Sequence, residues 1–282
     1  MNPYTQLVSN FSSAVKQGRS LPLGGIPRAS RPKLSADAPK GLFFAPHPDD
    51  ETIIGGLALR LLREGPWNVI DVAVTQGSNK ARQAERLQEL KGACDYLGFG
   101  LIQTAPNGLE KVTPATREKD PTYWSGMVQV VRKILVEQKP KAIFFPHVVD
   151  WNGTHIGVHF LVMDALKAEP SLDCFLVETE FWGQMPTPNL MVEYSEQDVA
   201  DLVAATSFHV GEVKRNPYHL LIPAWMQDNV RRGAELVGGQ GGAAPQFMFG
   251  QLYRLGRWRN RAAEWAKPQF LPVSQNAASL FQ

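Results

Sequence analysis

Gly41-Leu42-Phe43-Phe44-Ala45-Pro46-His47-Pro48-Asp49-Asp50-Glu51 joins a short apolar run to an acidic turn. The run, residues 41–46, lacks the polar–apolar alternation of a half-exposed strand and reads as a strand buried on both faces. Beyond the turn, residues 52–63 are expected to form an amphipathic helix with Ile53, Ile54, Leu57, Leu61 and Leu62 inward. A buried strand that passes directly into a helix is the opening of an α/β fold.

The same rhythm continues outward. Strands are expected at 69–75, 101–102, 142–145 and 174–177, and helices at 80–97, 123–138 and 155–168. Gly98 closes the first of these helices and Pro140 follows the second. Near-continuous apolar strands alternating with helices imply a mostly parallel sheet with helices on both faces. Upstream, residues 3–17 carry Leu7, Phe11 and Val15 at helical spacing, and 21–39 form a Pro- and Gly-rich arm. The expected organisation is therefore an N-terminal helix and extended arm over 1–39, then a single α/β domain over 40–282. Its last part, 186–282, looks less regular. Helices are expected at 195–207, capped by Ser195, and at 224–236, followed by a flexible loop over 238–242. The tail with Phe247, Phe249, Tyr253, Trp258 and Trp265 completes a helical and aromatic extension packed on the domain.

Composition narrows the function. The 282 residues are 44% hydrophobic and 20% charged, a globular balance. Lys and Arg total 29 against 27 Asp and Glu, which argues against a nucleic-acid protein working by phosphate neutralisation. Two cysteines, Cys94 and Cys174, are too few for a disulfide scaffold or a Cys-rich zinc module, and both are expected as reduced core thiols. The first residues lack a basic segment followed by an apolar run, and no stretch is long enough to span a bilayer. A soluble cytoplasmic protein without a membrane partner is the expectation.

The chemistry is expected at the strand exits, because ligands of open α/β sheets bind beyond the carboxyl ends of the strands. His47 and Asp50 lie three residues apart across a strand-to-helix turn and can face one crevice. An imidazole with a carboxylate suits Zn²⁺. Asp49 beside them suits proton abstraction from a water whose pKa a metal has lowered to roughly 7. The competing reading is that Asp49, Asp50 and Glu51 only complement a helix macrodipole; His47-Pro48 at the strand exit favours the metal. A third ligand should come from the second exit, Pro146-His147-Val148-Val149-Asp150-Trp151-Asn152-Gly153-Thr154-His155. His155 is selected, fixed in the first helical turn with Thr154 as the cap. His159, on the same helical face, is an alternative ligand, a residue behind the site or a buried core histidine. His147 is ambiguous, and His209 and His219 are read as structural. Fe²⁺ or Co²⁺ could replace zinc in such a donor set.

Together these residues resemble the PIG-L/LmbE-like family of zinc-dependent N-deacetylases. The first family motif stands as Ala45-Pro46-His47-Pro48-Asp49-Asp50-Glu51, and the second is matched by Pro146, His147, Asp150 and His155. A weaker third pattern is carried by Arg86, Glu89, Leu90, Ala93, Leu97 and Gly98. The resemblance covers roughly residues 40–170. It implies a Rossmann-like fold, zinc held by His47, Asp50 and His155, and Asp49 as general base. It also implies that Arg86 reaches the substrate, an N-acetylated amino sugar or its conjugate, and that the protein forms homo-oligomers. Two positions depart from the family pattern: Asn152 stands where a histidine is usual, and Thr154 where an aspartate is usual. Asn152 can donate a hydrogen bond to an oxyanion but cannot shuttle a proton; Asp49 itself, or His159 through a water, would then protonate the leaving amine. Trp151 is a candidate for stacking on a sugar face, whereas Trp182 reads as packing.

Three other functions compete. One is an amidase acting on a larger acyl or thiol conjugate. Another is a catalytically inactive metal- or glycan-binding homologue, suggested by Asn152. The third is a Rossmann-type nucleotide-dependent protein, which the first βα turn opposes because it is acidic and glycine-free where a pyrophosphate needs G-x-G-x-x-G.

Overall fold

The computed structural model describes residues 2–28 and 32–282. The expected N-terminal helix is α1 (Thr5–Gly18), none of whose residues is buried. The arm after it is irregular in its described residues, with 29–31 lying outside them. The α/β rhythm then runs β1 (Lys40–Ala45), α2 (Asp50–Ile53), α3 (Gly56–Glu64), β2 (Asn68–Ala73), α4 (Gln83–Leu97), β3 (Gly100–Gln103), α5 (Pro114–Lys119), α6 (Pro121–Gln138), β4 (Ala142–Pro146), α7 (Gly153–Ala168) and β5 (Cys174–Thr179). The remainder comprises β6 (Leu190–Glu193), α8 (Glu196–Thr206), α9 (Val210–Arg215), α10 (Ile222–Leu236), β7 (Gly250–Arg259), β8 (Ala262–Trp265) and β9 (Gln269–Leu271).

All nine strands join one sheet in the order β3-β2-β1-β4-β5-β7-β6-β9, with β8 paired to β7. The first five are parallel. β7 runs antiparallel to β5, β6 and β8, whereas β9 is parallel to β6. From β1 the chain runs outward through β2 and β3 on one side and then crosses to place β4 and β5 on the other, so the β1–β4 boundary is the topological switch point where such sheets bind ligands. Burial follows the strand pleat. Leu42 and Phe44 enter a core with Val72, Ile143, Leu161 and Val131. Phe43 and Ala45 enter the opposite core with Val69, Leu57, Leu61 and Leu90. Each large apolar side chain buried this way contributes about 1.5–3 kcal/mol, which is why β1 shows no polar alternation. Cys94 and Cys174 are both buried. No helix among the described residues is long and apolar enough to cross a membrane.

The structure corrects four sequence expectations. The helix expected over 52–63 is two pieces, α2 and α3, broken at Gly55, where a Cβ would lie 2.0 Å from the Glu51 carbonyl oxygen. α5 was not anticipated. The cap of α7 is Asn152 rather than Thr154, its Oδ1 accepting from the Thr154 and His155 N–H groups. Finally, the aromatic tail is not an extension on the domain: it supplies β7, β8 and β9 to the sheet. Polar residues had masked β7, because each is neutralised by a distant partner. Gln251 donates to the Ile53 carbonyl, Arg254 lies 3.8 Å over the Trp265 ring, and Arg257 pairs with Asp173.

Candidate metal centre

β1 ends at Ala45, and the turn beyond it aims His47 and Asp50 across the switch point. α7, which follows β4, presents His155 from its first turn. One donor atom from each of His47, Asp50 and His155 falls within 4.8 Å of the other two. The two imidazole rings lie 5.3 Å apart, and Asp50 Oδ2 is 3.6 Å from His47 Nδ1 and 3.4 Å from His155 Nε2. Asp50 and His155 are fully buried, yet Asp50 Oδ1 and both His155 ring nitrogens lack hydrogen-bond partners. Unpartnered buried polar atoms are costly, and here they converge. Burial opposes charge on His155, but Asp50, Asp150 and Asp49 outweigh it and raise the imidazole above its ordinary value. Such a surplus of negative charge, with two imidazoles and a carboxylate as donors, fits a divalent cation.

Asp49 adopts φ 118° and ψ −28°, a left-handed conformation that costs a non-glycine residue of order 1–3 kcal/mol. Its surroundings hold it there. The Asp49 N–H donates to Glu51 Oε2 at 2.9 Å, while its carbonyl accepts from the Thr52 hydroxyl at 2.8 Å. The twist turns the Asp49 carboxylate away from the helix, and the Tyr218 hydroxyl donates to its Oδ2 at 2.5 Å. Burial, with Asp50 alongside, pushes this carboxyl up to about 7, against His209 and Arg86, which pull it down. A carboxyl held there is suited to general-base work near neutral pH.

Residues 42–166 match the PIG-L family profile, described as GlcNAc-PI de-N-acetylase. Those residues contain both strand-exit turns and all three converging ligands. Residues 42–166 are thus the PIG-L-like segment of this chain. The likeness in fold to solved structures extends beyond that segment. One is N,N'-diacetylchitobiose deacetylase from Pyrococcus horikoshii, at 16% identity over 88% of this chain and 92% of that chain, TM-score 0.54. Another is the A40926 pseudoaglycone deacetylase Dbv21, at 13% identity over 83% and 99%, TM-score 0.57. A third, 4-carboxy-2-hydroxymuconate hydratase GalB from Pseudomonas putida KT2440, has 13% identity over 77% and 95%, TM-score 0.55. At these identities the likeness establishes the fold, and the hydratase shows that the fold alone does not select the reaction. A search of curated proteins gives no match.

Within the PIG-L segment, Asp150 braces the second turn. Its Oδ2 accepts from the Trp182 and Gly183 N–H groups and stands 3.7 Å from His155 Nδ1. A carboxylate behind a ligating imidazole orients the ring and strengthens it as a donor. His147 is bound instead to the Gly183 carbonyl, 2.8 Å away. His159 Nδ1 lies 3.0 Å from the Pro146 carbonyl oxygen and 3.6 Å from Glu178, outside the converging triad. Arg86 donates to the Pro48 carbonyl at 2.9 Å and stands 3.9 Å from Asp49 Oδ2, behind the first turn. Trp151 is 78% exposed, with its ring 6.3 Å from that of Trp182.

One residue of the PIG-L segment, Glu51, was read differently, and two of the segment's partners, Tyr218 and His209, were out of reach of sequence reasoning. Glu51 is a buried acceptor as well as a first-turn acid; its Oε1 lies 2.8 Å from Nε2 of fully buried His209. Tyr218, in a 3₁₀ turn at Tyr218–Leu221, belongs to no recognisable motif. His209, with no sequence partner, gave no signal that it would pair with Glu51.

Two clefts flank the centre. A cleft of about 510 Å³ is lined by His47, Asn152, Thr154, Ser78, Lys80 and Thr113 among others, and mixes polar with apolar surface. α7 is able to close on its Val112–Thr113 wall because Gly157 has no Cβ; one would lie 2.2 Å from the Val112 carbonyl oxygen. On the other side a smaller cleft of about 180 Å³ is lined by Ile53, Phe181, Trp182, Tyr218, Leu221, Ile222 and Trp225.

Proposed function

We propose that the chain is a metal-dependent amide hydrolase that removes the N-acetyl group of an amino sugar or its conjugate. The convergence of His47, Asp50 and His155 beside the strained, buried Asp49 carries this reading. The PIG-L match over both turns supports it.

His47, Asp50 and His155 would hold a divalent metal, zinc by donor chemistry with Fe²⁺ or Co²⁺ as substitutes, which supplies Lewis acidity to the amide carbonyl and acidifies water. Asp150 keeps His155 oriented. Asp49 takes a proton from the attacking water as its oxygen bonds to the acetyl carbon. It returns that proton to the nitrogen as the carbon–nitrogen bond breaks, releasing acetate and a free amine. This double role replaces the histidine acid that Asn152 cannot supply. The Asn152 side-chain oxygen is engaged in capping α7, so its amide nitrogen is the part assigned to the developing oxyanion. Arg86 positions the Pro48–Asp49 turn, and Trp151 offers a sugar-stacking surface at the mouth.

The test combines metal analysis with acetate release from N-acetylglucosamine conjugates. Asp49→Asn is expected to lower kcat about 10²–10⁴-fold with metal content unchanged. Equal release by wild type and Asp49→Asn would remove Asp49 from the mechanism. A metal-loaded protein that released no acetate across the panel would end the deacetylase reading.

A further inference from the structure

The two clefts differ in chemistry, and both adjoin the reacting position. On the polar side the wall is built from His47, Asn152, Thr154, Ser78, Lys80 and Thr113. On the other side the wall is almost wholly apolar. Two of its residues touch the catalytic group and a ligand directly: the Tyr218 hydroxyl bonds Asp49, and the Phe181 ring stacks on His155 with centroids 5.8 Å apart. Ile53 belongs to the same short helix as Asp50. Trp225 closes the far wall, edge-on to Phe181 at 6.5 Å. At the rim, Trp182 and Leu221 are about half exposed. Large apolar side chains left open beside a reaction centre mark a surface that a ligand covers.

An amide places its acyl and amine substituents on opposite sides of a planar, trans bond. With the carbonyl at the triad, one substituent enters each cleft. A polyhydroxylated amine matches the polar side, which leaves the acyl group to the apolar one. Its volume of about 180 Å³ is some six times the ~30 Å³ occupied by a water molecule, a body about as large as a methyl group. An acetyl methyl would leave most of it empty.

We propose that the cleft between Phe181, Tyr218 and Trp225 is an acyl subsite, and that besides N-acetyl substrates the site takes polar amines carrying an N-acyl chain longer than acetyl. The proposal rests on the amide-hydrolase reading above and specifies its acyl group. Water adds its oxygen to the acyl carbon, the carbon–nitrogen bond breaks, and both water hydrogens end on nitrogen, giving a fatty carboxylate and an ammonium product.

The experiment uses the zinc-loaded full chain with N-acetyl-, N-butyryl-, N-hexanoyl- and N-octanoylglucosamine, following release of the free amine. The specificity constant kcat/KM should rise from acetyl to hexanoyl by about fourfold per methylene, the ratio equivalent to ~0.8 kcal/mol for each buried CH₂. Leu221→Asp, at the exposed rim, should cut the hexanoyl-to-acetyl ratio about tenfold or more, and Trp225→Ala should reduce it from the opposite wall. A flat or falling series with acetate still released would overturn the acyl subsite and leave the deacetylase reading standing. If no amide is cleaved, the hydrolase reading fails and tryptophan fluorescence decides the subsite. Tighter quenching by hexanoate than by acetate, lost in Leu221→Asp, would support it; equal binding of the two acids would overturn it.

Discussion

In the PIG-L segment the converging side chains follow two adjacent parallel strands, His47 and Asp50 on the turn after β1 and His155 on the helix that follows β4. In the rest of the chain, Tyr218 and His209 reach the same centre from a 3₁₀ turn and from the cap of α9. Neither comes from a strand end. The two regions therefore divide the labour. The first gathers the donors; the second sets the environment of the base, through one hydrogen bond to Asp49 and one to Glu51. Donors can be placed by local geometry because a turn joins them to a strand. A base environment needs side chains approaching from the far side, and only long-range packing delivers those.

Substitutions in the two regions should then separate metal affinity from turnover. The larger effect belongs to Asp150→Asn, in the PIG-L segment. Weakening the carboxylate behind His155 should reduce metal affinity about 10–100-fold, measured by competition with a chromophoric chelator. Unchanged affinity would mean that Asp150 only braces the backbone of Trp182 and Gly183. Next comes Tyr218→Phe in the second region. It removes a charge-assisted hydrogen bond and should lower kcat about tenfold while metal affinity stays at the wild-type value. A parallel loss of metal in Tyr218→Phe would break the proposed division between the regions.

A separate effect, on stability rather than on metal or turnover, concerns Asp71, a carboxyl of β2 that no donor from the second region reaches. It is fully buried, and neither oxygen has a hydrogen-bond partner. Burial, with Glu51 and Asp50 near it, raises it well above the usual carboxylate range, which favours its neutral form in the fold. An unfolded aspartate ionises near pH 3.9. Its contribution to stability is therefore complete below about pH 4 and is lost as pH rises. Relative to Asp71→Asn, the wild type should lose up to about 1.4 kcal/mol of stability per pH unit above that point. Urea unfolding of the metal-free proteins at several pH values measures this, and equal slopes would show Asp71 ionised in the fold.

Much of the PIG-L segment was legible from residues alone. Uninterrupted apolar runs announced β1 and β4 because both faces of these strands are buried, and the sheet's parallel half followed from their alternation with helices. His47, Asp50 and His155 stood out because each sits just past such a run. Other features depended on three-dimensional packing. The break at Gly55 depends on a close approach of the Glu51 carbonyl, and the Asn152 cap on the exact start of α7. Strand β7 was hidden because Gln251, Arg254 and Arg257 find partners remote in the chain, which turns polar residues into sheet residues.

Short-range order thus marked the three converging side chains and the architecture that carries them, since a strand and its exit turn are written in consecutive residues. The strain on Asp49, the hydroxyl that holds it and the apolar cleft beside it arose only on folding. The hydroxyl contact and the cleft require groups more than a hundred positions apart to meet, and no local pattern encodes which of them will.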